Sequence, residues 1–371
     1  MKRILLTCLI IVNCLAFCQA QYIQVKNPSK YARKELISIP FQNFKEHFKV
    51  DTVFTIRDEN NQLIPFQLEK LGTAIPVNVL IQVELPAQST IKYKLEKEPG
   101  NRIEPMTFAR YVPERLDDFA WENDVVAFRL YGKALEGRKD DGQGMDYWAK
   151  RTDKLIVNKW YKVENYHQDT GEGMDYYTVG QTLGAGDVAL LSNNGLHYTK
   201  HYRRYQILDN GPLRSTFKLE YDPEELDEQE VKLTKIISLD AGSNFNKIVL
   251  QVQNKMANST AIAIGVARRK EDQPKLAVEP KNETLAYWEP EIAKNGQTGI
   301  AVIIPKKKVS IDANRPEQFL LTSQAMNGQD FVYYNGAVWN RAGKVSSAEE
   351  WNKAVEQEHE KIKKPLKWVL K

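Results

Sequence analysis

Cysteine is scarce in this chain, and its placement restricts the chemistry of the protein. All three cysteines of the 371 residues, Cys8, Cys14 and Cys18, lie near the N-terminus. If the first 20 residues are removed, the rest can form no disulfide, no thiolate nucleophile and no zinc–cysteine site. Such a chain is held together by apolar burial alone, and its length is sufficient for one large core or two domains.

The N-terminal apolar run is too short for a membrane anchor. Lys2 and Arg3 precede apolar residues 4 to 17, and a small residue, Ala20, follows. This order predicts a secretory signal at residues 1 to 20, since a spanning helix needs ~20 apolar residues. Cys18 raises a lipoprotein alternative, although Phe17 is bulky where lipoprotein signals have a small residue. We therefore expect a periplasmic protein, with lipidated or secreted forms as alternatives.

The chain also lacks an excess of charge of either sign. Its net charge of +4 loses the two charges of Lys2 and Arg3 on cleavage, leaving +2, and the charges are interspersed. Nucleic acids and membrane surfaces attract clustered basic residues. We therefore expect no nucleic-acid partner and no membrane insertion. We also expect a monomer.

Short segments rich in β-branched and aromatic residues predict an all-β fold. Residues 21 to 105 form a small N-terminal β-sandwich in this interpretation, and Pro99, Gly100 and Pro105 mark the boundary. Residues 106 to 371 form a larger antiparallel sandwich of two sheets. Its predicted strands include 124–132, 154–163, 215–222, 231–254, 261–267, 299–305, 319–324 and 331–339.

One C-terminal helix is predicted against this β background. Ser347 and Glu350 have capping-box spacing, and Trp351, Val355 and Ile362 form an apolar stripe. We expect the helix to cover one sheet or the domain junction.

A glycine-rich motif occurs twice in the middle of the chain. The run DDGQGMDYW at 140–148 is echoed by DTGEGMDYY at 169–177. Such loops carry function more often than packing, although two similar hairpin loops would give the same echo. Neither copy has calcium-loop spacing, so we predict no metal site, with one at Asp169, Glu172 and Asp175 as a minor alternative. The glycines at 180–186 do not match a nucleotide-binding fingerprint, and we predict no cofactor.

The chain has five histidines: His47, His167, His197, His201 and His359. His167 stands beside Tyr166 and the second glycine-rich copy, which places a titratable base next to phenol donors. A structural role for His167 stays open. Strand alternation would put His197, His201 and Arg203 on one polar face, which suits an acidic ligand or a solvated outer face.

Aromatic side chains alternate with acids and arginines around the glycine-rich copies. Sugar rings stack on indole or phenol faces and present hydroxyls to bidentate polar groups. The same aromatic residues could fill a sandwich core. Their density near the two copies favours a carbohydrate site.

Three longer segments resemble a known family. They are WENDVVAFRLYG at 121–132, YHQDTGEGMDYYTVGQTLGAG at 166–186 and DNGPLRSTFKLEY at 209–221. They are similar to a Bacteroidetes family of formerly unknown function from polysaccharide-utilisation loci, and the resemblance covers nearly the whole chain after residue 20. It implies a galactose-mutarotase-like supersandwich and an oligosaccharide dehydratase activity of the kind used in ulvan degradation.

The implied reaction removes water from a saturated uronic acid at the non-reducing end of an acidic oligosaccharide. It needs a base at C5, an acid for the C4 hydroxyl and a cation for the carboxylate, and no cofactor. Motif position and chemistry suggest His167 as base and Tyr166 or Tyr177 as proton donor. The remaining predicted site residues are the carboxylate partners Arg129, Arg151 and Arg203, the orienting or hydroxyl-binding acids Glu172 and Asp175, and the stacking residues Trp148 and Trp288.

Two other classes of function fit the same sequence. A polysaccharide lyase or a glycoside hydrolase could use this scaffold, the hydrolase with paired carboxylates such as Glu122 and Glu172. A non-catalytic glycan-binding protein would need the aromatic residues alone.

Overall fold

The computed structural model describes residues 21–100, 103–163, 165–279, 283–305 and 308–371. The predicted signal at residues 1 to 20, with its three cysteines, lies outside the described residues and stays a prediction.

The N-terminal part consists of two antiparallel sheets around one apolar core. Their strand orders are β26-β1-β6-β3 and β2-β5-β4. The elements are β1 (Tyr22–Lys26), β2 (Arg33–Pro40), α1 (Phe41–Phe48), β3 (Thr55–Arg57), β4 (Phe66–Glu69), β5 (Asn78–Leu85), β6 (Thr90–Glu96) and the last strand of the chain, β26 (Lys367–Leu370).

Helix α1 was not among the predicted elements. Its buried face consists of Phe41, Phe44 and Phe48, whose spacing puts them on one side of a helix. Phe44 and Phe48 are fully buried in the core between the two sheets. The helix ends at Lys49, which takes a left-handed conformation with φ of 50°.

The larger part contains three antiparallel sheets. A five-stranded sheet has the order β11-β10-β9-β8-β7, and its strands are β7 (Thr107–Val112), β8 (Asp118–Asn123), β9 (Ala127–Leu130), β10 (Met145–Lys150) and β11 (Gly173–Met174). A second five-stranded sheet has the order β13-β12-β19-β24-β23, with β12 (Ala185–Ser192), β13 (Gly195–His197), β19 (Ser259–Ala267), β23 (Ser310–Asp312) and β24 (Gln318–Met326).

The third sheet has nine strands. Its order is β14-β15-β17-β18-β25-β22-β21-β20, and β16 pairs with β17. The strands are β14 (Arg204–Asn210), β15 (Arg214–Glu220), β16 (Glu224–Leu226), β17 (Gln229–Asp240), β18 (Phe245–Asn254), β20 (Lys275–Glu279), β21 (Thr284–Trp288), β22 (Thr298–Ile303) and β25 (Asp330–Trp339).

Apolar side chains of all three sheets meet in one core. Strand alternation sets its composition: Ile248, Leu250 and Val252 of β18 are fully buried. Lys235 is the polar member of the same face on β17, and its Nζ lies 2.5 Å from Asp187 Oδ1 inside the sandwich. The predicted all-β class with antiparallel sheets is confirmed.

The prediction of a strand at 154–163 is wrong. The segment contains a short helix, α2 (Val157–Trp160). Its start is held by the buried carboxylate of Glu122, which accepts hydrogen bonds from the Ile156 and Val157 backbone N–H groups at 2.8 and 2.7 Å. Tertiary burial of Val157 and Trp160 therefore outweighs their preference for strands.

The predicted polar strand face around the two histidines is also absent from the described chain. Strand β13 ends at His197, and β14 begins only at Arg204. The intervening residues belong to neither strand. His197 lies 3.4 Å from Glu224, while His201 lies 2.8 Å from Asp141. The two imidazoles therefore have different surroundings.

The predicted C-terminal helix is confirmed as α3 (Ala348–Lys363). Trp351 is fully buried and its ring stacks 5.5 Å from that of Phe245 on the outer face of the nine-stranded sheet. After the helix, β26 returns to pair with β1. The end of the chain thus completes the N-terminal sheet, while the predicted boundary near residue 105 stays a prediction. None of the described helices is long and apolar enough to cross a membrane.

The start of α3 can be tested by mutation. Ser347 Oγ accepts the Glu350 backbone N–H at 3.3 Å, and the Glu350 carboxylate accepts the Ser346 backbone N–H at 2.7 Å. Ser347→Ala should lower the free energy of unfolding by about 1 kcal/mol, because it removes the N-cap acceptor. Urea unfolding measures the change. Ser346→Ala keeps both backbone bonds and is the matched control; an equal loss in the two variants would contradict the assignment of Ser347 as the cap.

Candidate active site

A cleft of about 420 Å³ opens between the two glycine-rich copies. Gln143 of the first copy donates a backbone hydrogen bond of 3.0 Å to the oxygen of Gly180, three residues after the second copy. The cleft is lined by Arg129, Tyr131, Lys139, Asp140, Asp141, Gly142, His167, Asp175, Tyr176, Tyr177, Thr178, Val179, Gly180 and Gln181.

The two copies share one guanidinium group. Asp146 of the first copy lies directly across from Arg129 in the β9–β10 pairing, and its Oδ2 is 2.7 Å from Arg129 Nε. Asp175 occupies the same place in the second copy, and its Oδ2 is 3.2 Å from Arg129 Nη2. The sequence echo therefore corresponds to two aspartates on one arginine.

A third carboxylate completes this cluster. Asp118 at the start of β8 places its Oδ2 3.4 Å from Arg129 Nη1. All four side chains are at most 7% exposed. Burial raises the pKa of Asp118 to about 6, against the opposing effect of Arg129. Burial and the neighbouring Asp146 raise the pKa of Asp175 well above its usual range. The cluster therefore takes up protons more readily than exposed aspartates do.

His167 has one ring nitrogen held and one free. Its Nδ1 lies 2.9 Å from the Asp175 backbone oxygen and 3.6 Å from Asp175 Oδ2. A carbonyl oxygen only accepts hydrogen bonds, so the neutral ring carries its proton on Nδ1 and leaves Nε2 basic. No residue in the described part of the chain bonds Nε2, and the side chain is 55% exposed at the cleft. His167 can therefore accept a proton from a bound molecule.

The two candidate tyrosines differ in their surroundings. Tyr177 lines the cleft, and its buried hydroxyl has no hydrogen-bond partner among the described residues. The Tyr166 hydroxyl instead accepts from Arg115 Nε at 3.3 Å and lies 3.5 Å from Arg129 Nη1. Tyr166 is not among the residues that line the cleft, although its ring packs 4.4 Å from that of His167.

The family model for DUF4861, a domain of unknown function, matches residues 25–367. The chain belongs to this family. The uncharacterized protein P7 of Formosa agariphila is 28% identical to it over 308 residues, which cover 78% of this chain and 76% of that protein.

Two solved structures resemble the fold of this DUF4861 protein. A protein in the glycosyl hydrolase family 38 from Enterococcus faecalis has a TM-score of 0.55 and 9% identity, covering 95% of this chain and 47% of that one. An alpha-mannosidase from Enterococcus faecalis V583 has a TM-score of 0.52 and 10% identity, covering 95% and 46%. The chain spans about half the length of these structures, and identities this low show a shared fold alone.

Neither predicted stacking residue of the DUF4861 protein presents a face to a sugar. Trp148 is 1% exposed and packs between Trp160 and Tyr166, at 5.6 and 5.3 Å between ring centroids. Trp288 is 2% exposed and belongs to the apolar cluster under α3. The prediction of sugar stacking on these two indoles is wrong, because both are core residues.

Of the three predicted arginines, Arg129 alone lines the cleft. Arg151 contacts Asp169 at 2.9 Å and the Gly171 backbone oxygen at 3.2 Å, so it holds the second glycine-rich loop. Arg203 is paired with Glu136 at 2.7 Å and Asp222 at 3.1 Å. Both guanidinium groups are occupied outside the cleft.

One of the predicted acids lies in the cleft, and the other two form contacts outside it. Asp175 lies in the cleft, whereas Glu172 is 2.6 Å from Lys159 and does not line it. Glu122 is fully buried and 2.9 Å from Lys150 Nζ, besides its bonds to the start of α2. A hydrolase pair of Glu122 and Glu172 is therefore not supported by the geometry.

Three residues of the site were not predicted. Asp118 carries no motif, and neither does Arg269, whose guanidinium lies 4.6 Å from the ring centroid of Tyr177. Only the fold brings these two residues next to residues that line the cleft. Asp146 was visible in the sequence, since it occupies the same position in its copy as Asp175, and that match could have predicted a shared partner. Within the described residues, no group of three or more His, Asp or Glu side chains is arranged to hold a metal ion.

The aspartate cluster predicts a pH-dependent loss of stability. Arg129→Met leaves three buried carboxylates without their cation, and removing one partner of a buried ion pair costs about 3–5 kcal/mol. The stabilising contribution of a protonated Asp118 is complete below its ordinary pKa of 3.8 and is lost as the pH rises through about 6. The decrease in the free energy of unfolding caused by Arg129→Met should therefore be larger at pH 8 than at pH 5, as measured by urea unfolding.

Arg203→Met is the matched control for this measurement. Arg203 is also paired with two carboxylates, but near the surface, so we expect a cost of about 1 kcal/mol or less at both pH values. A loss in Arg129→Met that is independent of pH, or no larger than that in the control, would contradict the proposed charge balance.

Proposed function

We propose that this protein is an exported carbohydrate-active enzyme, a carbon–oxygen lyase that removes water from a saturated uronic acid at the non-reducing end of ulvan-type oligosaccharides. The observation that carries the proposal is the cleft itself: His167, whose Nδ1 is held by the Asp175 backbone oxygen, lines it together with Tyr177 and Arg129. The fold shared with a protein in the glycosyl hydrolase family 38 and with an alpha-mannosidase supports a carbohydrate substrate.

The reaction requires three groups that act together. The proton at C5 of a uronic acid is weakly acidic, because it lies next to a carboxylate that is already negative. A base must remove it, a cation must hold the carboxylate as negative charge develops, and an acid must protonate the C4 hydroxyl as it leaves. The base and the acid each contribute about 10²- to 10⁴-fold to the rate.

His167 acts as the base in this proposal. Its Nε2 takes the C5 proton, and the C5–H electron pair forms the double bond to C4. The C4–O bond breaks, and the oxygen leaves as water with a proton from a tyrosine. The Asp175 backbone oxygen accepts the Nδ1 hydrogen bond throughout, so it stabilises the imidazolium that forms.

Arg129 is the proposed partner of the substrate carboxylate. Its Nη1 has the longest contacts of the guanidinium, 3.4 Å to Asp118 and 3.5 Å to Tyr166, so this amino group is the least committed. A further carboxylate would be repelled by three ionised aspartates. The raised pKa values of Asp118 and Asp175 mean that protons can neutralise part of this cluster as the substrate binds.

The base assignment is tested with His167→Gln. The variant keeps a polar side chain but cannot accept the C5 proton, so kcat on saturated uronate-ended oligosaccharides should fall at least about 10²-fold. The product is followed by absorbance of the new enol ether and by a mass loss of one water. His197→Gln is the matched control, since His197 pairs with Glu224 and does not line the cleft. Full activity of His167→Gln would contradict the assignment.

The same mass spectra distinguish the other functions. An endo-acting lyase would form the same chromophore but shorten the chain, and a hydrolase would shorten it without an unsaturated end. A glycan-binding protein would bind saturably and leave the ligand mass unchanged. Any of these results in place of the loss of water would overturn the dehydratase proposal.

A further inference from the structure

Tyr177 lies between the cleft and a buried charged pair. Its hydroxyl is buried without a described partner, and the Arg269 guanidinium lies 4.6 Å from its ring centroid. The ring of Tyr147 meets it edge-on at 6.2 Å. Tyr177 thus lines the cleft and also contacts a cation.

Arg269 is fixed by three separate contacts just after β19. Its Nη1 donates to the backbone oxygen of Thr178 at 2.7 Å, one residue beyond Tyr177. Its Nε lies 2.8 Å from Glu289 Oε1, and its backbone N–H donates to the Tyr287 hydroxyl at 3.2 Å. Glu289 is 1% exposed and directly follows β21. The guanidinium is therefore held between Glu289 and the segment that carries Tyr177.

The charge of Arg269 has a direct consequence for a buried phenol. A tyrosine that donates its proton becomes a phenolate, which is unstable in a buried site without a nearby cation. Burial raises the pKa of Tyr177 above its usual range, with Glu289, Asp146 and Tyr287 adding to the effect, and Arg269 acts in the opposite direction. Burial also raises the pKa of Glu289 to about 7, so its negative charge is only partly expressed near neutral pH.

We propose that Arg269 is a positioning residue for Tyr177: it fixes the phenol at the cleft and stabilises the phenolate that remains when Tyr177 gives its proton to the leaving hydroxyl. This inference rests on the proposed function for the identity of the proton acceptor. It selects Tyr177 over Tyr166, whose hydroxyl is already bonded to arginines and whose side chain does not line the cleft.

A double-mutant cycle separates this role from a purely structural one. Arg269→Met should lower kcat for the elimination by about 10²-fold, at the lower end of what a general acid contributes. In the Tyr177→Phe background the same substitution should cost less than about threefold, because no phenolate forms there. Arg269→Lys keeps the charge and should recover part of the activity. Equal losses from Arg269→Met in both backgrounds would overturn the inference.

A second measurement does not depend on turnover. A trifluorotyrosine in place of Tyr177 ionises at lower pH than tyrosine, and fluorine NMR follows that single phenol. Its titration should move to higher pH in Arg269→Met and stay closer to the original in Arg269→Lys. A shift in a protein that forms no unsaturated product would support the Arg269–Tyr177 coupling and overturn the dehydratase function. An unchanged titration would overturn the inference, whatever the activity.

Discussion

The buried guanidinium of Arg129 is the interaction on which the candidate site depends. It joins three carboxylates that come from β8, β10 and the segment after β11. Each of these charges would be costly to bury alone, and only their mutual contacts allow them to lie buried at the edge of a cleft. The arrangement therefore fixes the position of the sheet formed by β7 to β11 relative to the second glycine-rich loop.

The position of the proposed base follows from this cluster. The side chain of Asp175 contacts Arg129, while its backbone oxygen accepts the hydrogen bond from His167. Asp175 thus connects the buried charges to the exposed imidazole of His167 and fixes its position. The next two residues, Tyr176 and Tyr177, continue along the wall of the cleft. The same short segment therefore orients the base and supplies the proposed acid.

Supporting contacts around the cleft come from residues that resembled ligand-binding groups in the sequence. Arg151, Arg203 and Glu172 each form ion pairs that hold a loop, and Trp148 and Trp288 fill separate apolar clusters. A polar or aromatic residue near a motif can either bind a ligand or support the fold, and its three-dimensional surroundings decide which. Arg129 was predicted as a substrate partner and lines the cleft. Its three ion pairs also stabilise the fold in this region.

The sequence by itself determined the antiparallel β architecture and the C-terminal helix, and it contains the two glycine-rich copies as a visible repeat. These depend on local periodicity, as in the alternation of Ile248, Leu250 and Val252, or on short-range chemistry, as in the Ser347 cap. Only the tertiary structure decided that 154–163 contains a helix, that the two indoles are buried, and that Asp118 and Arg269 contact residues that line the cleft. Each of those outcomes depends on contacts between residues distant in the chain, such as Glu122 with Ile156 or Arg269 with Tyr177, and local sequence carries no record of which distant residues will meet.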